Sequence, residues 1–211
     1  MRSMPFLPRL AVALLFSALA ACGSDKPTRL YTLTSLAEQP ASVSDQGIAI
    51  GVGPITLPKY LDRPQIVTRI QGNSLNQADL DQWGGDLNDN ITRVLATNLS
   101  DLLATNRVSI YPWIDRAPVD YQITLDITRF EKDVDGSVVL DAFWTIVDAK
   151  GGSVLVMRRS SYHDNSAPAT AAGAEPSTNT RPYDALAAAM SRDLEGLSKD
   201  IAAAVTTIKG S

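Results

Sequence analysis

Cys22 is the only cysteine among 211 residues, and it follows directly on Leu19-Ala20-Ala21. Two small residues before a cysteine, with Leu one step earlier, form a lipobox, the processing signal of bacterial lipoproteins. In that chemistry the thiol receives a diacylglycerol, the chain is cut ahead of the cysteine, and the new amino group is acylated in turn. The other reading is an ordinary secretory signal with Cys22 incidental near the cleavage point, which leaves a lone thiol in an oxidising compartment. The remaining reactive groups assemble no recognisable chemistry. His163 is the single histidine, so Ser-His-Asp catalysis would rest on one residue beside a loose segment, and a surface histidine suits its position better. Gly51-Val52-Gly53 follows a strand pattern as a phosphate-binding turn would, but the third glycine is missing and Pro54 removes an amide. Asp79, Asp81, Asp86, Asp89, Asp133 and Asp135 suit caps, turns and solvated faces, and the Asp133/Asp135 pair is too short a loop for an EF-hand. With one Cys and one His, no zinc set can form, and no metal site or cofactor is expected beyond the covalent lipid on Cys22.

The segment that delivers Cys22 has the form of a signal peptide. Arg2 and Arg9 supply positive charge, and Leu10 to Ala21 is apolar or small throughout. That stretch is too short for the ~20 residues a helix needs to span a bilayer. Residue 23 is Gly rather than Asp, which under enteric-type sorting points to the outer membrane. Two or three acyl chains anchor firmly where one does not. Removing residues 1–21 takes away two arginines and no acid, leaving 17 basic against 23 acidic residues, a net of −6. Such a domain is held at a membrane by its lipid and not by charge. The same acidity argues against nucleic acid as a partner.

The mature chain then divides into a tether at 22–28 and one domain at 29–211, a size that can bury a single core. Leu30 to Thr34 has strand character, and Gly47 to Val52 alternates before a Gly53-Pro54 break and a further run at Ile55 to Leu61. Ile66 to Ile70 is β-branched and ends at a Gly72-Asn73 turn. The period then changes to that of a helix. Asp86 can cap it, with Leu87, Ile91, Val94, Leu95, Asn98, Leu99 and Leu102 on one face and Asn106 as a left-handed stop. Val108 to Tyr111 is a short strand. Tyr121 to Thr128, Val138 to Ile146 and Val154 to Tyr162 alternate around turns at Asp135-Gly136 and Gly151-Gly152, an antiparallel meander with one buried face.

Residues 165–180 are rich in Ala, Pro, Ser and Thr and suggest a flexible loop. Asn179 or Thr180 caps a last helix, with Pro182 in its first turn, and its stripe runs Leu186, Met190, Leu194, Leu197, Ile201, Val205, Ile208. The expected fold is α+β: a mixed, largely antiparallel sheet with two helices packed on one face. Of the tryptophans, Trp144 alternates with core residues, while Trp83 and Trp113 lie beside loops where a partner could meet them.

One run is more specific than these patterns. Val52 to Arg69 (VGPITLPKYLDRPQIVTR), Asp81-Gln82-Trp83, Leu87, Ile91 to Ser100, Tyr121 to Phe130 and Ala142-Phe143-Trp144 together resemble the PqiC/YmbA-like lipoproteins, auxiliary components of ABC-type transport systems. The resemblance covers most of the mature chain from Tyr31. Relatives commonly place Pro just before the Leu that opens the helix after this Trp. Here Asp86 stands in that place, and it suits a helix start equally.

The resemblance implies a non-enzymatic role: an outer-membrane, periplasm-facing lipoprotein that docks an MCE-domain protein and ABC permease moving phospholipid or other hydrophobic molecules between membranes. A ring of copies would suit a piece that caps a tubular partner. The candidate contact residues are Pro58, Tyr60, Asp62, Arg63 and Pro64, with Trp83 nearby in sequence. The alternatives are a lipid carrier with its own cavity, which the large, regular apolar stripes disfavour, and an envelope-structural lipoprotein.

Overall fold

The computed structural model describes residues 27–35, 44–113, 118–165 and 181–210. The signal segment, Cys22 and the 166–180 segment lie outside the described residues, but the last helix opens at Asp184 with Tyr183 as its N-cap, so neither Asn179 nor Thr180 caps it and Pro182 stands ahead of its first turn. Among the described residues the order is β1 (Arg29–Tyr31), β2 (Ile50–Thr56), β3 (Gln65–Gln71), β4 (Ser74–Trp83), α1 (Leu87–Leu102), β5 (Val108–Ile110), β6 (Tyr121–Lys132), β7 (Ser137–Asp148), β8 (Val154–Asn165) and α2 (Asp184–Lys209). The fold is α+β.

The strands form one mixed sheet. Its long pairings are the antiparallel hairpins β3–β4, β6–β7 and β7–β8. Its short ones are parallel: β1 with β4, β2 with β5, and β6 with both β2 and β3. β6 is therefore the central strand, carrying β7 along one edge and β2 then β3 along the other.

Period-two burial fixes the register. Ile123, Leu125 and Ile127 face Ile146, Trp144 and Ala142 across the β6–β7 ladder, all buried. A one-residue slip would turn every one of them to the other face. Both helices cover that face. α1 lies over β2 and β5, and α2 lies over β6, β7 and β8. The stripe Leu186, Met190, Leu194, Leu197, Ile201 and Val205 joins Leu87, Ile91, Leu95 and Leu99 in one cluster with the strand residues. Asn98, on the apolar stripe of α1, is fully buried and donates from Nδ2 to Ser198 Oγ at 3.1 Å, a polar pin between the helices.

Several local expectations are corrected. Gly53-Pro54 does not end a strand. β2 continues through it, and one extra residue between Val52 and Ile55 makes a bulge. Gly53 supplies a positive φ of 111° there, and Pro54, which has no N–H to pair, costs the ladder nothing at that point. The left-handed residue after α1 is Ala104 (φ 51°), not Asn106. The turn there brings buried Thr105 to donate from Oγ1 to the Ile48 carbonyl at 2.9 Å, while Asn106 bonds Asp45 instead. Strand β4 was not apparent from the sequence. Its ladder shifts between Gln77, opposite Val67, and Gln82, opposite Gln65, so apolar alternation is broken where Asp81 turns inward. Asp86 does cap α1, accepting from the Asn88 amide at 2.7 Å.

Candidate functional site

The residues from Leu57 to Pro64 connect β2 to β3, and two buried anchors shape the loop. Leu61 is buried in the core, and its amide donates to the Pro58 carbonyl at 2.9 Å. Arg63 N–H donates to the Leu61 carbonyl at 2.9 Å, and the Pro64 carbonyl accepts from the Trp83 amide at 2.8 Å, tying the loop to the end of β4. The two prolines hold φ near −65° at both ends, which leaves the segment few other conformations.

Tyr60 is half-buried, and its hydroxyl donates to Glu131 Oε2 at 2.8 Å. Glu131 is fully buried on β6. Its Oε1 accepts from Arg69 Nη2 at 3.0 Å and Arg129 Nε at 3.1 Å, and its Oε2 also takes the Phe130 amide at 3.1 Å. Arg129 reaches on to Asp133 at 2.9 Å. The buried carboxylate is thus charge-balanced by two guanidiniums and satisfied at both oxygens, the condition under which burial of a charge is tolerated. Burial, together with the Glu131 hydrogen bond, raises the Tyr60 hydroxyl above its ordinary value. Arg129 and the Val134 amide hold Asp133 below its own.

Sequence reasoning missed Glu131, Arg69 and Arg129. The available signal was a conflict: continuing the β6 alternation past Ile127 puts Arg129 and Glu131 on the apolar face. A bulge between Ile127 and Arg129 resolves it by turning Phe130 inward and the charges to the other side.

The candidate residues do not all lie at the surface. Asp62 is exposed and meets Lys59 Nζ at 3.1 Å in an exposed pair, and Pro64 is exposed. Pro58 and Arg63 are half-buried, and Arg63 Nε is buried without a hydrogen-bond partner. Trp83 is 4% exposed, so it supports the loop from below and offers little surface. Of the two loop-side tryptophans it is Trp113 that is open, 36% exposed, edge-to-face with Tyr111 at 5.7 Å and lying over Gly51.

Three shallow, open depressions adjoin around the start of α1. One, of about 410 Å³, includes Arg63, Pro64 and the edge of Trp83. The next, of about 440 Å³, lies between Lys59, Asp62 and Asp89. The third, of about 480 Å³, shares Ile55, Asn88 and Asp89 with the second and ends at Tyr111 and Pro112. The surface is mixed: Asp62, Asp86 and Asp89 against Lys59, Arg63 and Arg93, with Ile110 and Tyr111 as its exposed apolar members.

The other chemical candidates are placed elsewhere. Gly51-Val52-Gly53 is strand, and a Cβ on Gly51 would stand 2.6 Å from the Trp113 ring. His163 is exposed on β8 opposite Val139. Asp135 accepts from Ser137 within its turn. No group of three metal-ligating side chains occurs, and no helix is long and apolar enough to cross a membrane, among the described residues.

Known structures share the fold. A Xanthomonas campestris protein of the DUF330 family superposes with a TM-score of 0.62 at 16% identity, covering 87% of this chain and all of that one. An uncharacterized protein of known crystal structure gives 0.65 at 16% identity over 85% of this chain and 99% of its own. No curated protein matches the sequence. The sequence family described as ABC-type transport auxiliary lipoprotein component matches residues 31–202, from the last residue of β1 into α2, and the chain belongs to that family.

Proposed function

We propose that this protein is an outer-membrane lipoprotein, acylated on Cys22, whose domain docks an MCE-domain assembly and its ABC permease in envelope lipid transport. The observation that carries the reading is the family match over residues 31–202, a transport auxiliary component without a membrane-crossing helix among the described residues. The docking role is supported by the loop. Its backbone is tied to β4 and its tyrosine to a buried carboxylate, so Asp62, Arg63 and Pro64 are presented from a rigid base. Preorganised surface of this kind lowers the ordering cost of association. A carrier role would need an enclosed apolar cavity. The space between sheet and helices is instead occupied by fully buried Trp144, Phe130, Ile91, Leu95, Leu99 and Ile127.

The test is capture. The wild-type protein, extracted from membranes, is expected to copurify with an MCE-domain protein, and its absence from the eluate overturns the docking role. Tyr60→Ala, Arg63→Ala and Asp62→Lys, each checked for folding by circular dichroism, are expected to weaken that capture. Unchanged capture by all three folded variants would remove the loop from the interface. Lipid mass spectrometry on a Cys22→Ser form tests the carrier alternative, which requires copurifying lipid.

A further inference from the structure

We infer that the end of the sheet made by the β3–β4 and β6–β7 turns rests on the bilayer, with Ile70 and Val134 seated among the lipid headgroups. This orientation depends on Cys22 carrying the lipid.

The direction of the first strand decides it. β1 runs parallel to β4, with Arg29 opposite Asp81 and Tyr31 opposite Trp83. Traced back toward Arg29, the direction of β1 therefore points toward the beginning of β4 at Ser74, the side of the Gly72-Asn73 turn. β1 is fastened there. Arg29 makes a bidentate pair with Asp81, both contacts at 2.6 Å, and the Tyr31 hydroxyl adds a bond to the same carboxylate at 2.7 Å. Arg29 lies seven positions after Cys22, a reach of at most ~24 Å. Asp81 and Ser74 are also seven residues apart, about 24 Å of strand. A lipid on Cys22 thus reaches the level of the hairpin tip and little farther. β6 from Tyr121 to Lys132 adds about 37 Å of strand, which keeps the opposite end away from the membrane.

The surface at this end suits the location. Thr68 of β3 stands opposite Lys132 of β6. Two residues beyond each lie Ile70 and Val134, 59% and 58% exposed, at neighbouring tips. Around them Arg69, Arg129 and Lys132 balance Glu131, Asp133 and Asp135, with Asp133 engaged by Arg129 and Asp135 by Ser137. With charge balanced, apolar insertion and not electrostatic attraction supplies the contact, in keeping with an acidic domain. Val154, 56% exposed beside the β7–β8 turn at the opposite end, is the matched control.

The experiment uses the full chain with its signal, purified after processing and reconstituted into phosphatidylethanolamine–phosphatidylglycerol vesicles. Acylation leaves no native thiol, so I70C, V134C and V154C can each carry one environment-sensitive fluorophore. Labels at 70 and 134 are expected to be quenched by nitroxide lipids and several-fold less accessible to iodide than the label at 154. Hydrogen exchange on the unlabelled protein is expected to slow on vesicles around the two turns and not around residues 149–154. Equal iodide access at all three sites, with unchanged exchange at the turns, overturns the orientation alone. A purified protein lacking acyl mass at Cys22 overturns the anchoring reading and the orientation with it.

Discussion

Glu131 is the residue that fixes the candidate surface in place, because a buried carboxylate demands partners and four groups supply them. Tyr60→Phe removes one hydrogen bond to a charged acceptor and is expected to cost about 1.5–3 kcal/mol in urea unfolding. Glu131→Ala, which leaves Arg69 without its carboxylate while Arg129 keeps Asp133, is expected to cost about 3 kcal/mol. Asp193 behaves in the opposite sense. It lies 4% exposed on α2 with Oδ2 unpartnered, and burial, reinforced by nearby Asp164 and only partly countered by Arg192, pushes its carboxyl up to about 7. The folded state therefore holds that proton more tightly than the unfolded chain. Between about pH 4 and pH 7 this residue makes stability fall as pH rises, and Asp193→Asn is expected to flatten that slope. Urea midpoints measured across the range check it. Asp81 and Asp133, held low by Arg29 and Arg129, lose their contribution only as pH falls below the ordinary carboxylate range.

Among the elements, α1 shows how a short signal sets a boundary. Asp86 accepts from Asn88, and Asp86→Ala is expected to cost about 1 kcal/mol by thermal unfolding. α2 depends on close approach instead. A Cβ on Gly196 would lie 2.8 Å from Tyr162 Cε1, and the Tyr162 hydroxyl is itself held by Asp200. Gly196→Ala is therefore expected to destabilise by about 1–3 kcal/mol even though alanine favours helix, a reversal of propensity that calorimetry would register. Strand β4 illustrates the limit of pattern. Its buried residues, Ala78, Asp81 and Trp83, follow no period of two because the ladder slips between Gln77 and Gln82. Trp83 looked like surface beside a glycine pair; the slip carries it into the core.

At the scale of the whole molecule, the domain is a filled sheet-and-helix layer in which the Leu57–Pro64 loop links the polar network to the open depressions, and Trp83 links those depressions to the anchored first strand. Cys22→Ser is expected to move the protein from the membrane to the soluble fraction, with loss of the acyl mass on mass spectrometry. Circular dichroism is expected to stay unchanged, since β1 is fastened from Arg29 onward by Asp81.

The amino-acid order alone determined the lipobox, the capped helix, the three-stranded meander and the two apolar stripes, because each is written in neighbours one to four residues apart. Only the tertiary structure decided that Asp81 pairs Arg29, that Glu131 holds Tyr60, that Trp83 is covered while Trp113 is open, and that β2 passes through Gly53-Pro54. The Asp81 pair, the Glu131 bond and the course of β2 rest on contacts between residues 52 to 71 positions apart, and no local period encodes which distant strand will arrive.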